Sequence, residues 1–505
     1  MLPLKEKDKP IVQKLLSAGC CARCVLRFCC VSVQAAYRKP PQVRLILHEE
    51  HDSASPPEDP PSKRAKLEAG PSEEDAAAAV KLKDEESRVC VVCLGILQDL
   101  CGPAQALKVC TVKAEKYEFD TLVLSVSLPA QLCVREVSVS VWCHKQTPKS
   151  IAVDRDDLIQ VKEAFKWIMQ GLVAKELGGV ASLFEVSVEF TYPETDADCH
   201  FLATTCSDCF KPTKNKQSVF TRMAVVKALE KIADAKFLKH YPSPPAQPTS
   251  SCIPQDVQCL HMSVFVAGRY NKFCRSLPQT PWVIDGERRM ESSVEELIAA
   301  PVLSSFRSDG FNFSSSGRED VDVRTLGNGR PFAMELLNPH RSRLSRAEMK
   351  QLQETINKSS DKIRVRDLQI VTREAMSRMK EGEEEKTKSY TALIWTLKPI
   401  QREDITFIDD IKDLTLDQKT PLRVLHRRAL AVRQRVIHSM NTRFLDSHHF
   451  YLGLKTQAGT YIKEFVHGDF GRTKPNLCEL LRTDTDILEL DVESVDVDWP
   501  PSIPE

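Results

Sequence analysis

The sequence predicts an α+β protein with two folded units, on three observations. Stretches with the two-residue alternation of strands are interspersed with stretches of helical periodicity. A Pro/Ser-rich break, Tyr241-Pro-Ser-Pro-Pro-Ala-Gln-Pro-Thr-Ser-Ser, marks a boundary near the middle of the chain. The composition of the 505 residues, 42% hydrophobic and 28% charged, supplies at least one large core. With 18 Gly and 30 Pro the chain is neither collagen-like nor wholly disordered, and no apolar run reaches the ~18 residues of a spanning helix, so no membrane partner is expected. Lys+Arg and Asp+Glu balance at 70 each, so any polyanion surface must arise from local charge.

An organised segment runs to about residue 48. Residues 51–87 are rich in Pro, Ser, Glu and Ala without apolar periodicity and are expected to be a disordered insert. Within it Pro61-Ser-Lys63-Arg64-Ala-Lys66-Leu67-Glu68 resembles a nuclear import signal, or is a solvated charge cluster. Leu122-Val-Leu-Ser-Val-Ser-Leu and Phe184-Glu-Val-Ser-Val-Glu-Phe read as strands, with a helix around Leu158 to Leu172 between them. Residues 217–236 read as a helix capped by Ser218, with Phe220, Met223, Val226, Leu229 and Ile232 at three-residue spacing. Lys211, Lys214, Lys216, Arg222, Lys227 and Lys231 beside it form either a solvated face or a phosphate-binding surface. Beyond the break, capping boxes are expected at Ser292/Glu295 and Ser345/Glu348, a strand at Tyr390-Thr-Ala-Leu-Ile-Trp, and a terminal strand at Leu488-Glu-Leu-Asp-Val-Glu.

The N-terminus lacks the apolar run of a secretory leader, so the 18 cysteines are expected to be reduced, and closely paired ones suggest metal before disulfides. The CxxC pairs are Cys21/Cys24, Cys90/Cys93 and Cys206/Cys209. Two such turns deliver the four thiolates of a structural zinc site, and Gly95 follows the second pair where a knuckle needs a permissive backbone. Cys21, Cys24, Cys90 and Cys93 are the expected zinc ligands. Cys206/Cys209 could replace a pair, hold an incomplete second site, or be structural thiols.

The second half carries the distinctive chemistry. Ser314-Ser-Ser-Gly317-Arg318-Glu319-Asp320-Val-Asp322-Val-Arg324-Thr-Leu-Gly327-Asn-Gly329-Arg330-Pro-Phe sets an Asp among glycines and arginines. Glycines allow close approach of backbone to a ligand, arginines hold phosphate or carboxylate, and cations keep an Asp ionised. A Gly-rich turn with a surface ion pair is the bland alternative. Gln418 to Arg443 contains Lys419, Arg423, Arg427, Arg428, Arg433, Arg435 and Arg443 and no acid, the footprint of a polyanion. Gly459-Thr-Tyr461-Ile-Lys463 closes a strand and opens a helix, presenting an aromatic beside a cation.

At these residues a resemblance appears. Gly317-Arg318-Glu319-Asp320 resembles the GRxD motif of pseudouridine synthases, and Gly459-Thr-Tyr461-Ile-Lys463 their GTYI[RK] motif. With Ala267-Gly-Arg269-Tyr270-Asn-Lys272 and Pro278-Gln-Thr-Pro-Trp282, the chain resembles the archaeal and eukaryotic tRNA pseudouridine synthases of the Pus-ten family through nearly all of 258–500. The resemblance implies a zinc-containing, THUMP-type RNA-binding accessory domain over 1–250 and a catalytic domain with a mixed, mostly antiparallel sheet over 258–505. It implies isomerisation of uridine to pseudouridine in the T-loop of tRNA without organic cofactor. The expected partners are tRNA and other structured RNAs, and a monomer in nucleus and cytoplasm is expected, a mitochondrial pool being compatible. Asp320 would be the catalytic carboxylate, Tyr390 would stack on the target base, Tyr461 would close the pocket, Lys463 would pair with Asp320, and Arg318 would fill the gap left by the flipped uridine. The competing function is a non-catalytic RNA-binding or RNA-processing scaffold. Adenylating chemistry has no visible cradle, since neither SGGxDS nor GxxxxGK[ST] occurs.

Overall fold

The computed structural model describes residues 4–39, 88–110, 117–118, 122–148, 154–177, 184–193, 195–211, 220–381 and 385–504. The expected insert at 51–87 with its import signal, and Lys214, Lys216 and Ser218, lie outside them. The chain divides into two compact units, Met1–Leu260 and His261–Glu505.

In the first unit α1 (Lys9–Ser17) and α2 (Ala22–Phe28) precede β1 (Leu122–Ser127), α3 (Gln131–Gln146), α4 (Val161–Leu177) and β2 (Phe184–Thr191). β1 and β2 pair in parallel, Leu124 opposite Val186. Alternation on β2 buries Phe184, Val186, Val188 and Phe190 on one face, where Phe165 of α4 meets Phe190 edge-on at 5.3 Å. The expected 217–236 helix is shorter and broken. α5 (Arg222–Lys231) is capped by Thr221, whose hydroxyl accepts the Ala224 N–H at 3.3 Å, and the chain leaves it at Ile232 before α6 (Asp234–His240). Its inward face is Val225, Ala228 and Leu229, four-residue spacing included, so Met223 is 83% exposed instead of buried. The Pro/Ser segment is held against this unit: the Ser138 hydroxyl donates to Pro242 O at 2.6 Å and Arg135 to Ala246 O at 3.0 Å. β3 (Ile253–Pro254) and β4 (Gln258–His261) then pair with β2, which places the division of the chain after Leu260.

The second unit contains β5 (Val264–Lys272), α7 (Val294–Phe306), β6 (Gly310–Ser315), β7 (Val323–Leu337), α8 (Arg346–Ser359), β8 (Ile363–Val371), β9 (Thr387–Thr396), β10 (Lys412–Lys419), β11 (Val432–Asp446), β12 (His449–Gln457), α9 (Ile462–His467), β13 (Thr473–Lys474) and β14 (Thr485–Val495). They form a ten-stranded sheet in the order β8-β5-β7-β14-β9-β12-β11-β10-β13, with β6 paired to β7. All these pairings are antiparallel except β7 with β14.

Two apolar clusters hold the sheet. One packs Ile298, Val302 and Phe306 of α7 and Leu352 and Ile356 of α8 against Val266, Phe332 and Val365. The other joins Phe465 and Val466 of α9 to Ile394, Leu452 and Val492. Each fully buried Leu, Ile or Phe contributes about 1.5–3 kcal/mol. The Ser345/Glu348 capping box is present on α8. On α7 the cap is Ser293, one residue beyond the expected Ser292: its hydroxyl accepts the Glu296 N–H at 3.2 Å and donates to the Glu296 carboxylate at 2.8 Å. Ser293-Val-Glu-Glu296 carries the same spacing as Ser292 to Glu295, and Ser293 is the buried one of the two serines.

Candidate active site and cysteine cluster

The 316–322 loop enters β7 where that strand turns from β14 to β5. Gly317 has φ +85°, and a Cβ there would lie 2.6 Å from both the Arg330 guanidinium and the Lys388 ammonium, so glycine is required. Glu319 points down into the unit, where Arg330 Nε donates to it at 2.7 Å and the Tyr270 hydroxyl at 2.7 Å. Arg330 also donates to Ser316 O at 2.8 Å, and Gln279 to Gly317 O at 3.1 Å. The buried Lys272 ammonium donates to three carbonyls, Leu277 at 2.6 Å, Asp320 at 3.0 Å and Val321 at 3.0 Å. Burial pushes this lysine down to about 8. The loop backbone is thus clamped from below, and Arg318 and Asp320, flanking the inward Glu319, both line the cavity above it.

Asp320 is 32% exposed and meets three cations: Arg423 at 2.9 Å, Lys463 at 3.3 Å and Arg427 at 4.0 Å. Arg423 is itself held by the buried Glu464, at 2.5 and 3.2 Å, and its guanidinium lies 5.9 Å from the Tyr461 ring centroid. Lys463 is shared and sits closer to Asp322, at 2.8 and 3.0 Å. Burial pushes the Asp322 carboxyl up, but the Lys463 hydrogen bond and charge outweigh it and hold the group below its ordinary value. Arg324, a neighbour in the string, turns instead to Asp491 at 2.9 and 2.6 Å.

A cavity of about 560 Å³ collects these groups; Arg318, Asp320, Tyr390, Tyr461 and Lys463 all line it, with Arg428, Arg433 and Arg435 adding positive charge. Arg318 is exposed at its rim. Tyr390 projects from β9, opposite Leu454 of β12 and Val492 of β14, and burial raises its phenol above the ordinary value. Tyr461 is the N-cap residue of α9, which places Lys463 on the first turn of that helix. Nothing in the sequence marks Asp322, Glu464, Glu319 or Lys272 for this site, and Arg423 reads there as one cation of a polyanion footprint. Their acid-base pairing spans up to 141 residues of chain and leaves no local signal.

In the first unit the Cys21, Cys24, Cys90 and Cys93 sulfurs lie within 4.8 Å of one another. Cys21 and Cys93 are 3.8 Å apart, the edge of a tetrahedron with metal–sulfur bonds of about 2.3 Å. The Cys21 N–H reaches Cys90 Sγ at 3.3 Å and Arg27 reaches Cys24 Sγ at 3.3 Å, donors suited to thiolates. Leu94 and Gly95, both at positive φ, make the turn after the second pair. Burial raises the Cys93 thiol, so four thiolates here require a cation. Cys206 lies in a different apolar cluster, with Cys209 against its edge, and neither joins this group. Of the lysines near α5, Lys231 is paired with Asp208 at 2.6 Å, while Lys211 and Lys227 are exposed.

The family profile described as "Eukaryotic Pus10, N-terminal" matches residues 90–259, and "Pus10, C-terminal" matches 265–496. Mouse tRNA pseudouridine synthase Pus10 is 59% identical over 525 aligned residues, covering 100% of both chains. The Xenopus laevis protein of that name is 58% identical, again covering 100% of both. The Thermofilum pendens protein of that name is 39% identical over 46% of this chain and 52% of its own. The mouse and Xenopus relatives span the whole length of the chain that sets Arg318, Glu319 and Asp320 at this cavity, and this chain belongs to the Pus10 family.

Proposed function

We propose that this protein isomerises uridine to pseudouridine in the T-loop of tRNA, with Asp320 as its catalytic carboxylate. The observation that carries the reading is the placement of Asp320, supported by Arg423 and Lys463, in one cavity with Tyr390 and Tyr461. The reaction breaks the bond from uracil N1 to the ribose C1′ and forms one from C5 to C1′, with a proton lost from C5 and one gained at N1. Atoms and electrons balance without a cofactor. The free base must be held and turned between the two bond changes, which suits a cavity lined by two tyrosines. An ionised Asp320 oxygen either bonds the sugar as N1 leaves or takes a proton. Arg423 and Lys463 lie at 2.9 and 3.3 Å to offset its negative charge when bound RNA excludes water. Arg318 at the rim is suited to take the place of the flipped nucleotide, and the cavity arginines to hold phosphates.

The first unit is the RNA-binding accessory module of this reading, with one structural zinc held by Cys21, Cys24, Cys90 and Cys93. The resemblance of residues 61–68 to an import signal supports a nuclear pool beside the cytoplasmic one. Asp320→Asn keeps size and loses the reactive oxygen. On unmodified tRNA, carbodiimide-dependent primer extension should detect pseudouridine with the wild type and none with this variant, while tRNA affinity stays within about threefold. Full activity in Asp320→Asn refutes the mechanism, and a wild type inactive on every tRNA favours the scaffold alternative.

A further inference from the structure

Phe470 is 95% exposed. It lies in the turn after α9, where Asp469 (φ 46°) and Phe470 (φ 56°) both occupy the left-handed region. Side chains with a Cβ adopt it only under strain, and two in succession persist only where their surroundings impose them. Here Gly471 N donates to Gly468 O at 2.9 Å, Arg472 N to Asp469 O at 3.1 Å and Thr473 N to Gly468 O at 3.2 Å. The buried Asp469 carboxylate accepts the Leu422 N–H at 3.2 Å, and Arg472 donates to Thr420 O at 2.7 Å. The turn is therefore bolted to the segment whose next residue, Arg423, holds Asp320. An exposed aromatic ring is thus carried on a fixed backbone tied to the segment that supplies Arg423 to the arginine-lined cavity.

We propose that Phe470 is a stacking platform for an unpaired base of the substrate RNA, flanking the uridine that enters the cavity. This rests on the reading of the chain as a tRNA pseudouridine synthase. The segment that Leu422 opens carries Arg423, Arg427 and Arg428 of the cavity lining, against one exposed acid, Asp417, opposite Lys474 beyond the turn, and this excess of cations favours a polyanion over an apolar protein partner. A flat ring among such cations meets the bases of a strand whose phosphates the cations hold, and it accepts any base because every base has a π-face. The turn's backbone is set before RNA arrives, so the ordering lost on binding is confined to the side chain.

The test compares full-length wild type, Phe470→Ala and Phe470→Trp on an unmodified tRNA transcript. Phe470→Ala should raise KM and the filter-binding Kd roughly 5- to 150-fold, the range to which stacking of about 1–3 kcal/mol converts, with kcat at saturation within twofold. Phe470→Trp should retain wild-type KM, and its added fluorescence should be quenched by the RNA. An unchanged KM and Kd in Phe470→Ala, a loss confined to kcat, or no quenching in Phe470→Trp overturns the proposal. So does a fall in sedimenting mass of Phe470→Ala, which would mark a protein contact. Binding and quenching do not require turnover, so an inactive wild type that still shows them would defeat the enzymatic reading and leave the stacking intact.

Discussion

At the scale of single residues, Lys272 ties electrostatics to catalysis. Its ammonium has three protons and faces three carbonyls, including that of Asp320, whereas a neutral amine has only two protons to donate. Burial lowers it to about 8, against about 10.4 in an unfolded chain. Below about pH 8 both states are protonated and folding carries the full cost of burying the charge. Between about 8 and about 10.4 the unfolded chain binds more protons, so this group's contribution to stability improves as pH rises. Catalysis should go the other way, because the deprotonated lysine releases one of the carbonyls that orient the loop. We therefore expect the single-turnover rate to fall through a limb near pH 8 and recover on acidification. Lys272→Met should be about 100-fold slower at every pH, lack the limb and keep its KM for tRNA. A wild-type rate flat from pH 7 to 9 would rule this out. The carboxylate itself was legible in the string, since glycines and arginines flank it within a few residues. Its pairing with Lys463, implied by the resemblance, is present at 3.3 Å, but its arginine partners were not legible: which of the seven cations between 418 and 443 turns inward depends on Glu464, a buried acid in a different element.

At the scale of elements, the strands at 122, 184, 390 and 488 were readable because alternation survives wherever one face is buried, and β12 buries Phe450, Leu452, Leu454 and Thr456 in that manner. Strand order was not, because β7 pairs with strands from both ends of the unit. The turn of β7 depends on Gly327, φ +65°, where a Cβ would fall 1.7 Å from Glu493 O; its composition signals a bend without naming the neighbour. The caps give a graded test. Ser345 accepts the Glu348 N–H at 3.2 Å and its own N–H reaches the Glu348 carboxylate at 2.8 Å. Ser345→Ala should cost about 1 kcal/mol in urea unfolding, and about 2–4 °C in Tm for a unit of this size. Ser292→Ala, outside the cap of α7, should stay within about 0.5 kcal/mol. Equal losses for both would mean that Ser345 acts by something other than capping.

At the scale of the whole molecule, each unit has its own apolar clusters, and the cysteine group belongs to the first. Its two pairs lie far apart in sequence, so a bound cation closes the long intervening stretch and ties α2 to the turn at Leu94–Gly95. Without a cation, buried sulfurs cannot all ionise, and the stabilisation that four thiolates draw from zinc is lost. Cys90→Ser removes one ligand and leaves three, and a closed structural site tolerates this poorly. We expect zinc, measured by atomic emission, to fall from one per chain to near zero in Cys90→Ser, while Cys206→Ser keeps it. In calorimetry the transition of residues 1–260 should drop by 10 °C or more, roughly what a loss of several kcal/mol produces in a unit of that size. The transition of residues 261–505 should not move, because none of the four ligands belongs to it. Undiminished zinc in Cys90→Ser would overturn the assignment, and a shift of the second transition alone would show that the metal sits elsewhere.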